Sequence, residues 1–223
     1  MKKPRRSAGR ALAPAVQAQH GGRHAFGEVA VEVDVVYLVP AVHVDGPGEW
    51  AREADKVAWR DLATGLDCVI RRKRAGGHLA GYVGVGPDHP LHGFEWSAVP
   101  SGLDIEVHGG LNYAAACDES GPPETSVCHV DHDQPGGGHV WWFGFTCDQI
   151  TDLVPARMTN GAPDSALVHG LVRTYRDEGY VYGQVVDLAR QLAAIAEGRE
   201  KPERISPPPP PLGLDPLRAE VRR

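Results

Sequence analysis

Apolar residues recur along this chain with two periods. From Val29 to Val35 every second residue is valine, with Ala30, Glu32 and Asp34 between, and Val36-Tyr37-Leu38-Val39 follows. Alternation puts successive side chains on opposite sides of an extended backbone, so this run predicts a strand. Gly46-Pro47-Gly48 breaks the chain after it. The runs 56–60 and 66–71 flank Asp61-Leu62-Ala63-Thr64-Gly65, and two β-rich runs around a glycine turn predict a hairpin. Segments 79–85, 103–113 and 139–145 predict three more strands. Gly81 and Gly84 in the first of these permit close approach of another backbone. In the last, Trp141, Phe143 and Phe145 share one face and Trp142 takes the other.

Near the C-terminus the period changes. Val181, Val185, Leu188, Leu192 and Ile195 fall at steps of four and three, which is one face of a helix. Asp177 is its expected N-cap, Gly198 its expected stop, and Pro202 follows soon after. Strands followed by one helix predict an α+β domain, a mainly antiparallel sheet packed by that helix, over residues 49–197. Residues 1–48 read as a basic, low-complexity extension holding the valine-rich strand. Residues 198–223 read as a proline-rich tail, in which Pro207–Pro211 suit a stiff linker better than a docking motif. Both ends are expected to be disordered. Between the last two strands, residues 118–138 are rich in Gly, Pro, Asp and His and predict a long surface excursion.

Charge is unevenly spread. Residues 1–24 carry +6 and residues 198–223 carry +2, so the net −6 of the chain places −14 on residues 25–197. An acidic body repels phosphate backbones, which argues against nucleic acid as a partner of the folded domain. Arg71-Arg72-Lys73-Arg74 reads as a basic strand end facing water. No run approaches the roughly 20 apolar residues that span a bilayer, so no membrane partner is expected. With no export signal legible, a cytoplasmic setting with reduced thiols at Cys68, Cys117, Cys128 and Cys147 is the expectation.

Candidate chemistry gathers between residues 89 and 152. His108-Gly109-Gly110 at a predicted strand end resembles the glycine turns that aim backbone N–H groups at a ligand, but no serine sits in a nucleophile elbow. His108, Cys147 and Asp148 are the catalytic candidates: a thiol with a histidine base, or a histidine working with a carboxylate. Asp148 and Asp152, four apart, would share a face if a helix began there, with helix capping the simpler role. Cys117, Cys128, His129 and His132 are a candidate zinc site of irregular spacing. A pocket built from His89, His92, His108, Asn112, Trp142, Asp148 and Asp152 would hold a small polar ligand.

One resemblance covers residues 50–197. Lys56-Val57-Ala58-Trp59, Thr64-Gly65-Leu66-Asp67-Cys68-Val69-Ile70-Arg71, Gly81-Tyr82-Val83-Gly84-Val85, His89-Pro90-Leu91-His92-Gly93, Val107-His108-Gly109-Gly110-Leu111 and Trp141-Trp142-Phe143-Gly144-Phe145 carry it, with the helix from Tyr175-Arg176-Asp177 to Gln191-Leu192. Together they resemble a family of small uncharacterised proteins of bacteria, phages and prophages. The resemblance implies such a setting and assigns no catalytic role. Relatives of that kind read Asp-Cys-Ala-His where this chain has Thr146-Cys147-Asp148-Gln149, which weakens acid–base or metal roles for this turn. Three functions stay open: a small-molecule-binding module, a hydrolase-like enzyme that is metal-assisted or Cys-His, and a protein interaction module. The cofactor and the oligomeric state are not legible.

Overall fold

A computed structural model of the chain describes residues 15–117, 121–128, 139–159, 167–168 and 171–210. The strands are β1 (Gln17–His20), β2 (Arg23–Phe26), β3 (Val29–Glu32), β4 (Val35–Leu38), β5 (Lys56–Arg60), β6 (Asp67–Arg72), β7 (Leu79–Val85), β8 (Tyr113–Ala116) and β9 (Trp141–Thr146). A short helix α1 (Pro155–Thr159), the small strands β10 (Leu167–Val168) and β11 (Leu171–Val172), and the long helix α2 (Glu178–Ala196) follow. Seven strands form one sheet in the order β1-β4-β5-β6-β7-β9-β8, and each neighbouring pair is antiparallel. This is the expected α+β architecture.

The two faces of the sheet are covered differently. On one, Val57, Ile70, Leu79, Val83, Phe143 and Phe145 pack against Val181, Val185, Leu188 and Leu192 of α2. Those four helix residues are fully buried, and each such side chain contributes about 1.5–3 kcal/mol relative to exposure. Gly81 makes this seat: a Cβ there would lie 2.4 Å from Val185 Cγ2. Asp177 caps α2 as expected, its side chain accepting from Tyr180 N, and Gly198 ends it at φ +61. On the other face Val35, Tyr37, Ala58, Val69, Ala80, Tyr82 and Trp142 form a second cluster, closed over by Val127. Trp141, Phe143 and Phe145 lie on the helix side and Trp142 on the opposite one, as the alternation requires.

Several expectations change. The extension is not unstructured from residue 15 onward: β1 pairs with β4, β4 with β5, and β2 with β3. The valine run is two strands, because a sharp break between Glu32 and Val35 sends β3 to β2 and β4 into the main sheet. Residues 103–112 form no strand. Asp104 at φ 48 and Gly109 and Gly110 at φ 68 and 76 turn the chain repeatedly, and pairing begins only at Tyr113. The four cations do not face water together. Arg72 is buried, its guanidinium donating to Asp55, Glu53, Gly77 O and Ala54 O. Arg71 donates to Thr125 O and Lys56 Nζ to Pro123 O at 2.6 Å, pinning the loop over the second face. Burial, with the charge of Arg71 beside it, lowers the Lys56 ammonium to about 8. Cys117 and Cys128 in this loop are joined by a disulfide, against the expectation of reduced thiols. Their Cα atoms stand 4.8 Å apart, a span that a disulfide bridges. Among the described residues no helix is long and apolar enough to cross a membrane.

Candidate functional site

Two chain reversals bring the candidate residues to one end of the sheet. After β9 the chain turns at Cys147–Asp152, and before β8 it turns at His108–Gly110. Gly109 lets the turns meet, since a Cβ there would lie 2.6 Å from the Gln149 amide. The glycines therefore serve the turn and its packing, with Gly110 N donating to Val107 O at 2.9 Å.

His108 is fully buried. Its Nε2 donates to Asp152 Oδ2 at 2.6 Å and its Nδ1 shares a hydrogen bond with the Tyr180 hydroxyl at 2.9 Å. Asp152 is fully buried too. It also accepts from Arg176 Nε at 2.9 Å and from Gln149 N at 2.9 Å. Burial pushes this carboxyl up, but the hydrogen bond and charge of His108, with Arg176 and Gln149 N, outweigh burial and hold it below the ordinary range. Arg176 lies 4.8 Å over the Tyr180 ring, and burial raises the Tyr180 hydroxyl to about 12. Each polar group here has its partners, so the cluster ties the His108 turn, the post-β9 turn and the start of α2 together.

Cys147 is 2% exposed and packs in the same core as Phe145 and Val181. Burial, and then the charge of Asp152, raise its thiol well above the usual range. A nucleophilic thiolate needs the opposite environment. Among the described residues no hydrogen bond links Cys147 Sγ to His108. Asp152 and Asp148 do not cap a helix, because the turn after β9 leads through Asp152 N→Gln149 O and α1 starts only at Pro155.

The remaining pocket candidates scatter. His89 Nε2 donates to Leu192 O at 2.9 Å while its Nδ1 accepts from Leu91 N, so it fastens a turn to α2. His92 Nε2 donates to His139 O at 2.7 Å. Trp142 is fully buried on the sheet face away from α2. Cys117 and Cys128 are consumed by their disulfide, and His129 and His132 lie outside the described residues. No group of three or more His, Cys, Asp or Glu able to hold a metal occurs among the described residues.

Asn112 and Asp148 do come together, with two residues that the sequence reading missed. Asn112 Nδ2 donates to Thr146 Oγ1 at 2.8 Å, and Thr146 Oγ1 donates to Asp148 Oδ1 at 2.7 Å. This relay orients the carboxylate and leaves Oδ2 3.7 Å from His78 Nε2. His78 is 5% exposed, and neither of its ring nitrogens has a hydrogen-bond partner among the described residues. Burial lowers its pKa, Asp148 opposes that shift, and Lys73 and Arg157 reinforce it. The ring is therefore a neutral donor and acceptor beside an oriented, half-open carboxylate. The signal for His78 was register: Ala80 opposes Thr146 in the β7–β9 ladder, so His78 falls opposite Asp148 two residues further on.

Comparison of the chain with family models, with curated proteins and with solved structures finds no match.

Proposed function

We propose that this protein is a binding module for a small polar ligand rich in hydrogen-bond donors, held by His78, Asn112, Thr146 and Asp148. The carrying observation is the buried imidazole of His78, without a hydrogen-bond partner among the described residues, facing Asp148 Oδ2 at 3.7 Å. A buried polar group without a partner costs about 1–3 kcal/mol, so a fold keeps one where a ligand or water completes it. Neutral His78 offers a lone pair and Asp148 a charged oxygen, and both accept. An ammonium group bridging them donates to both at once. His108 and Asp152 support this site by fixing the two turns, and they do not touch the ligand. A Cys-His hydrolase gains nothing from this geometry, because burial raises the Cys147 thiol. The Cys117–Cys128 disulfide favours an oxidising compartment over the cytoplasm.

Thermal-shift measurements with a panel of primary amines, amino acids and polyols test the reading. At least one compound raises the melting temperature of the parent chain, and His78→Leu and Asp148→Asn abolish that rise while staying folded. A panel that stabilises nothing, or a rise that survives both substitutions, contradicts it.

A further inference from the structure

The start of the proline-rich tail is clamped to the fold by buried polar side chains of α2. Asp187 of α2 is 2% exposed and Gln184 fully buried. Both are polar, and both turn their side chains to residues 204–207, with Arg190 also pairing to Asp187 Oδ1 at 3.6 Å. Asp187 Oδ1 accepts from Ile205 N at 2.9 Å, and Oδ2 accepts from Ser206 N at 3.0 Å and from the Ser206 hydroxyl. Gln184 Nε2 donates to Ser206 Oγ at 3.0 Å and to Pro207 O at 2.9 Å, while its Oε1 accepts from Arg204 Nη2 at 2.9 Å. Arg204 Nη1 reaches Glu106 O at 2.8 Å, and Lys201 Nζ reaches Asp104 at 2.8 Å. Gly183 admits the strap: a Cβ there would come within 2.8 Å of Ser206 Cβ.

A spacer gains nothing from such a seat. The clamp ends at the carbonyl of Pro207, the first of five consecutive prolines. Proline fixes φ, and a run of prolines takes the polyproline II helix, with three residues per turn. Pro207 and Pro210, three apart, therefore fall on one edge of the rod; Pro207 and Pro208 are exposed, and Pro209 and Pro210 are half-buried. The fold thus fixes the origin and direction of a stiff, already ordered rod. Aromatic-lined grooves bind such rods because little chain entropy remains to be lost.

We propose that Pro207–Pro210 is a presented docking rod for a protein domain whose aromatic-lined groove reads polyproline. The Arg204 guanidinium is held by Gln184, Ser206 and the Glu106 carbonyl, so the partner reads prolines and not a flanking cation. This surface is separate from the His78 site, and either assignment stands if the other fails.

Titration calorimetry of the full chain against a WW domain and a Src-homology 3 domain tests it. At least one of the two binds the full chain. Replacing Pro208, Pro209 and Pro210 by Ser weakens that binding about tenfold or more, with the melting temperature unchanged. Asp187→Ala, which frees the strap, weakens it by a smaller factor. A synthetic peptide of residues 204–211 binds less tightly than the full chain, which reports on anchoring even if Asp187→Ala unfolds. Failure of both domains to bind, or equal binding by the triple-serine chain, overturns the docking rod. A peptide that binds as tightly as the full chain overturns the role of the clamp.

Discussion

Two histidine–aspartate pairs meet at the turn after β9, and they are built in opposite ways. In the His108–Asp152 pair both side chains are fully buried, and Tyr180, Arg176 and Gln149 N complete the hydrogen bonding. In the His78–Asp148 pair the imidazole is buried with no hydrogen-bond partner among the described residues, the carboxylate side chain is 41% exposed, and the two stand 3.7 Å apart. The residue types are the same, so type alone does not separate architecture from function. Satisfaction does. A closed network holds a fold and has no valence left for a ligand, while an open one is costly to the fold and ready for a guest.

The largest effect belongs to the closed pair. Asp152→Ala leaves Arg176 and His108 without their buried acceptor and lowers stability by about 3–5 kcal/mol in urea denaturation. A loss under about 1 kcal/mol would show the two pairs to be alike. Acid tests the same carboxyl by another route. Its pKa is lower in the folded than in the unfolded chain, so on acidification the unfolded chain takes the proton first. The stability from Asp152 is whole above the ordinary aspartate value near about 3.9 and is lost as pH falls through the folded value. Asp152→Asn should flatten this acid limb of a denaturation series.

The open pair should respond weakly in stability. His78→Leu removes a buried polar group that makes no hydrogen bond among the described residues, so stability stays within about 1 kcal/mol of the parent or rises. Because burial lowers the His78 pKa, protons favour the unfolded chain below the ordinary histidine value near about 6.5, and stability falls as pH drops from there. His78→Leu removes part of that slope, and the lowered His89 retains the rest. The smallest effect is chemical. Native Cys147 should react with iodoacetamide more slowly than an unfolded thiol near neutral pH, since burial holds it protonated. Faster reaction would return the Cys-His hydrolase to consideration.

Much of this frame was written in local pattern. The 56–60 and 66–71 hairpin, the strand at 79–85, the two-sided aromatic strand and the helix with Asp177 as its cap all follow from periodicity and end signals, which are properties of neighbours in sequence. What escaped depends on pairing between distant segments. His108 and Asp152 were both on the candidate roster, but Asp152, not Asp148, meets His108, because the post-β9 turn folds inward instead of starting a helix. His78 carries no local signal, since a lone histidine before a strand gains meaning only when β7 is in register with β9. His89 and Trp142 look equally chemical in sequence, yet one fastens a turn to α2 and the other fills the far face of the sheet. The valine-rich run reads as an extension because Gly46-Pro47-Gly48 breaks the chain after it, and β1, Gln17–His20, has almost no apolar signal, while the partners of both lie elsewhere in the chain.

The most direct test follows the ring signals of both histidines by NMR, while a stabilising amine, amino acid or polyol is titrated into the parent chain and into Asp148→Asn. The account predicts that the His78 signals shift and saturate in the parent, that those of His108 stay in place, and that neither moves in Asp148→Asn. Shifts centred on His108, or shifts that persist without the Asp148 carboxylate, would contradict it.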